Sequence, residues 1–219
     1  MDKTQVLSAI KKVREQPKKK FNQTFDLILN LRNLNIKDPN QKVDHFVVLP
    51  KKLGRKRKVY GLVDKDLQQQ ARDTLEGYSE KDSFKSLDDK TVKKLAKTYD
   101  VFLAQATIMV DIAKKFGKVL GMKGKMPSPK AGQVIPPNSN LKEVYEKMQN
   151  TVRLVTNKDL SVKVPIGKED MKDEDLIENI MFIYNFMAQH LPQEKHNIKS
   201  IMIKTTMGQP VVIGKDEQI

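Results

Sequence analysis

Between Val59 and Asn150 short apolar runs alternate with helical stretches, and on either side they do not. This change of rhythm constrains the fold more than any other feature. Val59–Val63 reads as a strand, and Asp64 is placed to cap a helix after it. Asp88 or Asp89 starts a second helix reaching about Thr98, and DVFLAQ at 100–105 is a strand. Thr107 is placed to cap a helix ending near Gly121, and Asn140 with Glu143 forms a capping box for LKEVYEKMQN. Strands that alternate with helices imply a small parallel sheet covered by helices.

The flanking segments follow another pattern. Val6, Leu7, Ile10 and Val13 give one apolar face to a helix from Asp2 or Thr4 to about Gln16, where Pro17 stops it. Phe25, Leu27, Leu29 and Leu31 alternate with polar residues, as on a half-buried strand. A second strand, His45–Leu49, follows after a short connection that suits antiparallel pairing. Beyond Asn150, Val152–Val155 and Ser161–Ile166 read as strands paired across a turn near Asn157–Asp159. Asp173 to about Leu191 is a helix with acids in its first turn, and Ile198–Thr205 and Val211–Ile213 close the chain. The expected architecture is α/β: an α+β domain carrying an inserted α/β, Rossmann-like, three-layer domain, with boundaries near Lys58 and Asn150.

Charge narrows the partner. The 219 residues hold 41 Lys+Arg against 27 Asp+Glu, a net charge of +14. Residues 59–100 carry eight cations and nine acids, so the excess lies elsewhere. It gathers in three clusters of six cations each, at 11–20, 51–58 and 114–130. Separated basic clusters fit one assembled surface for nucleic acid. A membrane surface fits less well, because the chain has no Trp to anchor a basic amphipathic helix. Cys is absent too, which excludes disulfides and thiolate metal sites. A cytoplasmic protein is the expectation.

Catalytic signatures are missing. His45, His190 and His196 form no HExxH, and no G-x-S-x-G, G-x-G-x-x-G or G-x-x-x-x-G-K-[ST] spacing occurs. The pairs Asp88–Asp89 and Glu169–Asp170 stand where helices start, so capping is their ordinary reading. Binding features are stronger. GMKGKMPSPKAG at 121–132 is basic, stiff and free of acids, which suits a phosphate backbone. Thr205, Thr206, Met207 and Gly208 either form an ordinary hairpin turn or offer hydroxyls, an apolar contact and a close backbone approach to RNA. Phe21, after a lysine run, is either a stacking platform or a core residue.

Five segments together resemble the ribosomal protein L1 family, and an archaeal member most. They are KKFNQTFDLILNL at 19–31, VVLPKKLGR at 47–55, GKVLGMKGKMPSPKAG at 117–132, VPIGKEDMKDEDLIENI at 164–180 and IKTTMGQPVVI at 203–213. The resemblance implies a main RNA-binding domain of residues 1–58 and 151–219 and an inserted domain of 59–150. It implies no catalysis, no cofactor and no metal. It implies a large-subunit ribosomal protein, monomeric when free, that binds the stalk region of rRNA. It further implies help in releasing deacylated tRNA from the exit site, and translational repression of its own mRNA. Matched onto this chain, the RNA contacts are Lys20, Phe21, Thr24, Lys158, Lys163, Lys168, Thr205, Thr206, Met207 and Gly208. Lys123, Lys125 and Lys130 are secondary contacts for rRNA or tRNA. Lys204 stands where a bacterial-like pattern has Thr.

Overall fold

The structure, a computed structural model, describes residues 1–17, 19–35, 38, 41–156 and 159–214. Contacts divide the chain into two compact units: Met1–Arg55 with the chain from Asn150 onward, and Lys56–Gln149.

In the first unit a four-stranded antiparallel sheet is built around β1 (Thr24–Leu31). Its neighbours are β8 (Ser161–Lys168) on one edge and β9 (Ile198–Thr205) on the other, with β10 (Val211–Val212) beyond β9. Alternation along β1 sends Phe25, Leu27, Leu29 and Leu31 inward, each at most 4% exposed. They pack against Val6, Ile10 and Val13 of helix α1 (Lys3–Arg14) and Leu176, Ile180, Ile183 and Met187 of helix α6 (Asp173–His190). The alternate residues Thr24, Asp26, Ile28 and Asn30 stay half-buried on the opposite, open face. A second, two-stranded sheet pairs β2 (Asp44–Val48) with β7 (Thr151–Val155).

The second unit is a parallel sheet in the order β4-β3-β5-β6. Its strands are β3 (Val59–Val63), β4 (Gly77–Glu80), β5 (Val101–Gln105) and β6 (Val134–Ile135). One face of β3 and β5 (Tyr60, Leu62, Phe102, Ala104) packs with Val92 and Ala96 of α3 (Asp89–Thr98) and Ile112 and Phe116 of α4 (Met109–Met122). The other face (Val59, Val63, Val101, Leu103) packs with Ala71 of α2 (Gln68–Thr74) and with Leu141 and Met148 of α5 (Leu141–Asn150). Both faces are buried, as parallel sheets require. The α/β fold expected from sequence is therefore present.

Several local expectations are corrected. The first two strands do not pair, and neither do the two after Asn150: β1 takes β8 and β9, and β2 takes β7. Nearness in the chain does not decide pairing: the three eight-residue strands combine, and the two five-residue strands combine, each satisfying backbone groups along its length. Thr107 is no helix cap; it lies inside a 3-10 turn, Ala106–Ile108, that leads into α4. Asp88 precedes α3 but makes no side-chain cap hydrogen bond, and Lys172, rather than Glu169 or Asp170, precedes α6. Strands β4 and β6 go beyond what the sequence pattern predicts. Among the described residues no helix is long and apolar enough to cross a membrane, and no cluster of His, Cys, Asp or Glu is arranged to hold a metal ion.

Candidate nucleic-acid interface

One end of the four-stranded sheet collects most of the sequence-derived candidates. The start of β1 (Thr24) lies opposite Lys168 at the end of β8, and Phe25 lies opposite Thr205 at the end of β9. The chain leaves β9 in a turn that is stitched to its neighbours. Thr206 N donates to Thr24 O at 3.0 Å, and Thr24 N donates to Thr206 Oγ1 at 3.2 Å. Gly208 N donates to Thr205 O at 3.1 Å. Gln209 and Gln16 bond reciprocally: Gln209 N donates to Gln16 Oε1 at 2.8 Å, and Gln16 Nε2 donates to Gln209 O at 3.0 Å. Met207 N donates to Oε1 of Gln23 at 3.0 Å, and the Gln23 side chain is buried.

The stitching continues across to β8. Glu169 N donates to Gln23 O at 2.9 Å, and Gln23 N donates to Glu169 Oε2 at 3.3 Å. Arg14 fixes the same stretch. Its guanidinium donates to Asp173 Oδ1 at 2.8 Å, Glu169 O at 2.6 Å and Met171 O at 2.6 Å, while standing 5.4 Å from the Phe25 ring centre. Charge-assisted bonds of this kind are the stronger ones. Backbone, glutamine and arginine thus hold the end of the sheet in one shape.

Exposed on that shape are Lys20, Thr206, Met207 (66%) and Phe21 (54%), with Lys168 half-buried beside them. Phe21 is not a core residue. Thr205 is: its side chain is 4% exposed and faces inward. Gly208 serves the turn itself, because a Cβ there would collide with Thr205 Oγ1 and stand 2.7 Å from Gln16 Oε1. A valine at 208 would therefore disturb the fold locally. Lys163 is exposed on the open face, opposite Ile28, which in turn faces Met202 of β9. Lys158 lies outside the described residues.

Asp26 is the acid on this face, paired in register with Lys204. Burial pushes its carboxyl above the ordinary aspartate value of 3.8, and the Lys204 charge opposes that rise without cancelling it.

The basic loop at 121–132 belongs to the second unit. Gly124 N donates to Gly121 O at 3.0 Å and Lys125 N to Leu120 O at 2.9 Å, with Gly124 at φ 62°. That is a Schellman ending, so Gly124 terminates α4 and is not there to admit a ligand. Lys125 Nζ donates to Tyr99 O at 2.6 Å and Ala96 O at 3.1 Å, covering the last carbonyls of α3. Lys123 and Lys130 are exposed. The structure thus brings Lys20, Phe21, Thr24, Lys168 and Thr206–Gly208 together, leaves Lys163 further along the sheet, and holds Lys123, Lys125 and Lys130 on the other unit. Sequence reasoning missed Arg14, Gln16, Gln23 and Glu169, because no spacing marks a side chain that serves a distant backbone.

Comparison with known proteins agrees in extent and order. The family described as "Ribosomal protein L1p/L10e family" matches residues 11–209. "Large ribosomal subunit protein uL1" of Nanoarchaeum equitans is 40% identical over 206 residues, covering 92% of this chain and 96% of that protein. The proteins of the same name from Methanobrevibacter smithii and Methanothermococcus thermolithotrophicus are each 35% identical, over 95% and 98% of this chain and 97% and 100% of their own lengths.

Proposed function

The chain belongs to the Ribosomal protein L1p/L10e family, whose members are structural proteins and not enzymes, and from that premise we propose that it is a constituent of the large ribosomal subunit that binds rRNA. The stalk region is the RNA we assign to it, and the first unit is the main binding domain. The observation that carries this reading is the end of the four-stranded sheet, where a hydrogen-bonded backbone frame displays Lys20, Phe21, Lys168, Thr206 and Met207. A-form RNA hides its base edges in a deep groove, so recognition relies on shape, 2′-OH groups and unpaired bases. A rigid frame with the Thr206 hydroxyl and two exposed apolar side chains, Phe21 and Met207, suits that task. Lys20, Lys163 and Lys168 supply affinity to phosphates without reading sequence.

The finer functions rest on the same surfaces. The exposed Lys123 and Lys130 of the second unit are proposed contacts for exit-site tRNA, and the first unit is proposed to repress the protein's own mRNA by binding a stalk-like structure in it. The protein is proposed to act at the ribosome in the cytoplasm, and the free chain is proposed to be a monomer.

Direct binding tests the core of this reading. Purified protein is titrated with a stalk fragment of large-subunit rRNA and with an unrelated RNA of equal length, at several salt concentrations. Tighter stalk binding is expected, with log affinity falling against log salt at a slope of about −4 to −5 for roughly five or six phosphate contacts. Equal affinity for the two RNAs refutes it. Repression is tested by adding the protein to translation of its own mRNA, and tRNA contact by footprinting a ribosomal complex that carries exit-site tRNA.

A further inference from the structure

An open groove of about 480 Å³ lies beside the stitched end of the sheet. That volume is in the range of sites that hold small organic groups. Lys19, Lys20, Phe21 and Asn22 line one part of it, and Arg14, Glu169 and Asp170 the rest. Two of these residues are already occupied. Arg14 spends its guanidinium on Asp173, Glu169 O and Met171 O, and Glu169 accepts from Gln23 N. They make a fixed wall. Phe21 leaves 54% of its surface in solvent, an unusual exposure for a large ring. Asp170 and Asn22 are exposed and have no hydrogen-bond partner among the described residues.

The chemistry of the lining selects an occupant. A flat apolar ring beside lysines fits a base that stacks while its flanking phosphates meet the cations. The Asp170 carboxylate only accepts hydrogen bonds, through two oxygens side by side. Guanine presents two adjacent donors, N1–H and the N2 amine, which match that fork. Adenine and cytosine set their amine beside an acceptor nitrogen, and uracil sets a single N–H between two carbonyls, so a carboxylate meets repulsion on each.

We propose that this groove receives one unpaired guanine of the bound RNA, stacked on Phe21 and read by Asp170, with Lys19 and Lys20 on its flanking phosphates. The inference rests on the RNA-binding reading above and adds a point of base selection to it. Specific RNA recognition generally works through such splayed, unpaired bases.

The test replaces each unpaired guanosine of the stalk rRNA fragment by inosine, which lacks the N2 amine, and measures binding to wild type and to Asp170→Asn. At one position inosine is expected to weaken wild-type binding about tenfold, equivalent to about 1.4 kcal/mol. In Asp170→Asn the same replacement should cost less than about twofold. The ratio is the readout, because removing a negative charge strengthens binding to every RNA alike. A merely structural Asp170 would leave that ratio unmoved. Phe21→Leu should weaken guanosine and inosine fragments equally, as loss of stacking demands. The groove proposal is overturned if no inosine replacement matters, or if the penalty is the same in Asp170→Asn. If wild type fails to prefer the stalk fragment over unrelated RNA, the RNA-binding reading falls as well; if that preference stands while the ratio is flat, the groove alone falls.

Discussion

Gly208 tests whether the turn after β9 is a built frame or a passive loop. Replacing it with alanine adds one methyl group, which meets Thr205 Oγ1 and Gln16 Oε1. To relieve the clash the Thr205 and Gln16 side chains or the turn itself must shift, and the bonds at risk are Gly208 N to Thr205 O and the reciprocal Gln16–Gln209 pair. A net hydrogen bond contributes about 0.5–1.5 kcal/mol. The Gln16–Gln209 bonds are exposed and belong at the low end, so the loss should be about 1–3 kcal/mol in total. Urea denaturation followed by far-UV circular dichroism reads the stability, since the chain has no Trp. Stalk RNA affinity should fall about tenfold or more, because Thr206 and Met207 ride on the same turn. The clash can be relieved from the other side: Thr205→Ala removes the Oγ1. In the double variant Gly208→Ala with Thr205→Ala, the two losses should be less than additive by about 1 kcal/mol, as neighbouring sites couple. Wild-type stability and affinity in Gly208→Ala, or strictly additive losses in the double variant, would refute the packing argument.

Other residues give separate tests. Lys125→Met should cost about 1–2 kcal/mol in urea denaturation, from the loss of two charge-assisted bonds at the end of α3, while RNA affinity changes little; a large affinity loss at unchanged stability would make Lys125 an RNA contact instead. The raised pKa of Asp26 means that its effect on the fold is harmless below about 3.8 and turns destabilising as pH rises through the shifted value. Nearby phosphates should raise it further, so RNA binding should weaken as pH rises through the already shifted value, and Asp26→Asn should lack that slope in a pH series of binding isotherms. In the second unit, burial acts to raise Glu76, but Val59 N at 3.0 Å, Tyr145 Oη at 2.7 Å and Lys56 outweigh it and hold the carboxyl below 4.5. Its stabilisation is present above 4.5 and should be lost as pH falls through the lowered value. Burial and Glu76 push Tyr145 up to about 12, so its contribution is present below 10 and lost as pH rises toward 12. Glu76→Gln should remove the acid limb and bring the Tyr145 titration down, read as tyrosinate absorbance against a Tyr145→Phe control; an unmoved titration would refute the pairing.

What the sequence shows and hides follows from range. The period of two in Phe25–Leu31 and the helix periods of α1 and α6 are local, and each element stands close to where its pattern places it. Strand partners are not local. Nothing in His45–Leu49 announces Val152–Val155 as its mate, and chain proximity suggested the wrong pairings. The same holds for the site. Motifs propose Lys20, Phe21 and Thr206–Gly208 as candidates, but the buried Gln23 and the three-way Arg14 are recognisable only once residues 169–173 are folded beside them. Short strands such as Val134–Ile135 carry too few residues to show any period.

In the proposed RNA-binding reading, these two classes of residue divide the work of recognition. Lysines act at range, fall off with salt and treat every RNA alike, so in the proposed reading Lys20, Lys163 and Lys168 set how tightly the face binds and not what it binds. Selection needs atoms that do not adjust. Met207 is a long, adaptable side chain on a turn, and alone would fit many surfaces. The turn, however, is bonded to Thr24 and Gln23, Gln23 to Glu169, and Glu169 to Arg14. Each link crosses between elements far apart in the chain, so the frame exists only in the folded unit and loosens as a whole when one member is lost. Changes in the frame should therefore shift the ratio between cognate and unrelated RNA, whereas changes in the lysines should move both affinities together.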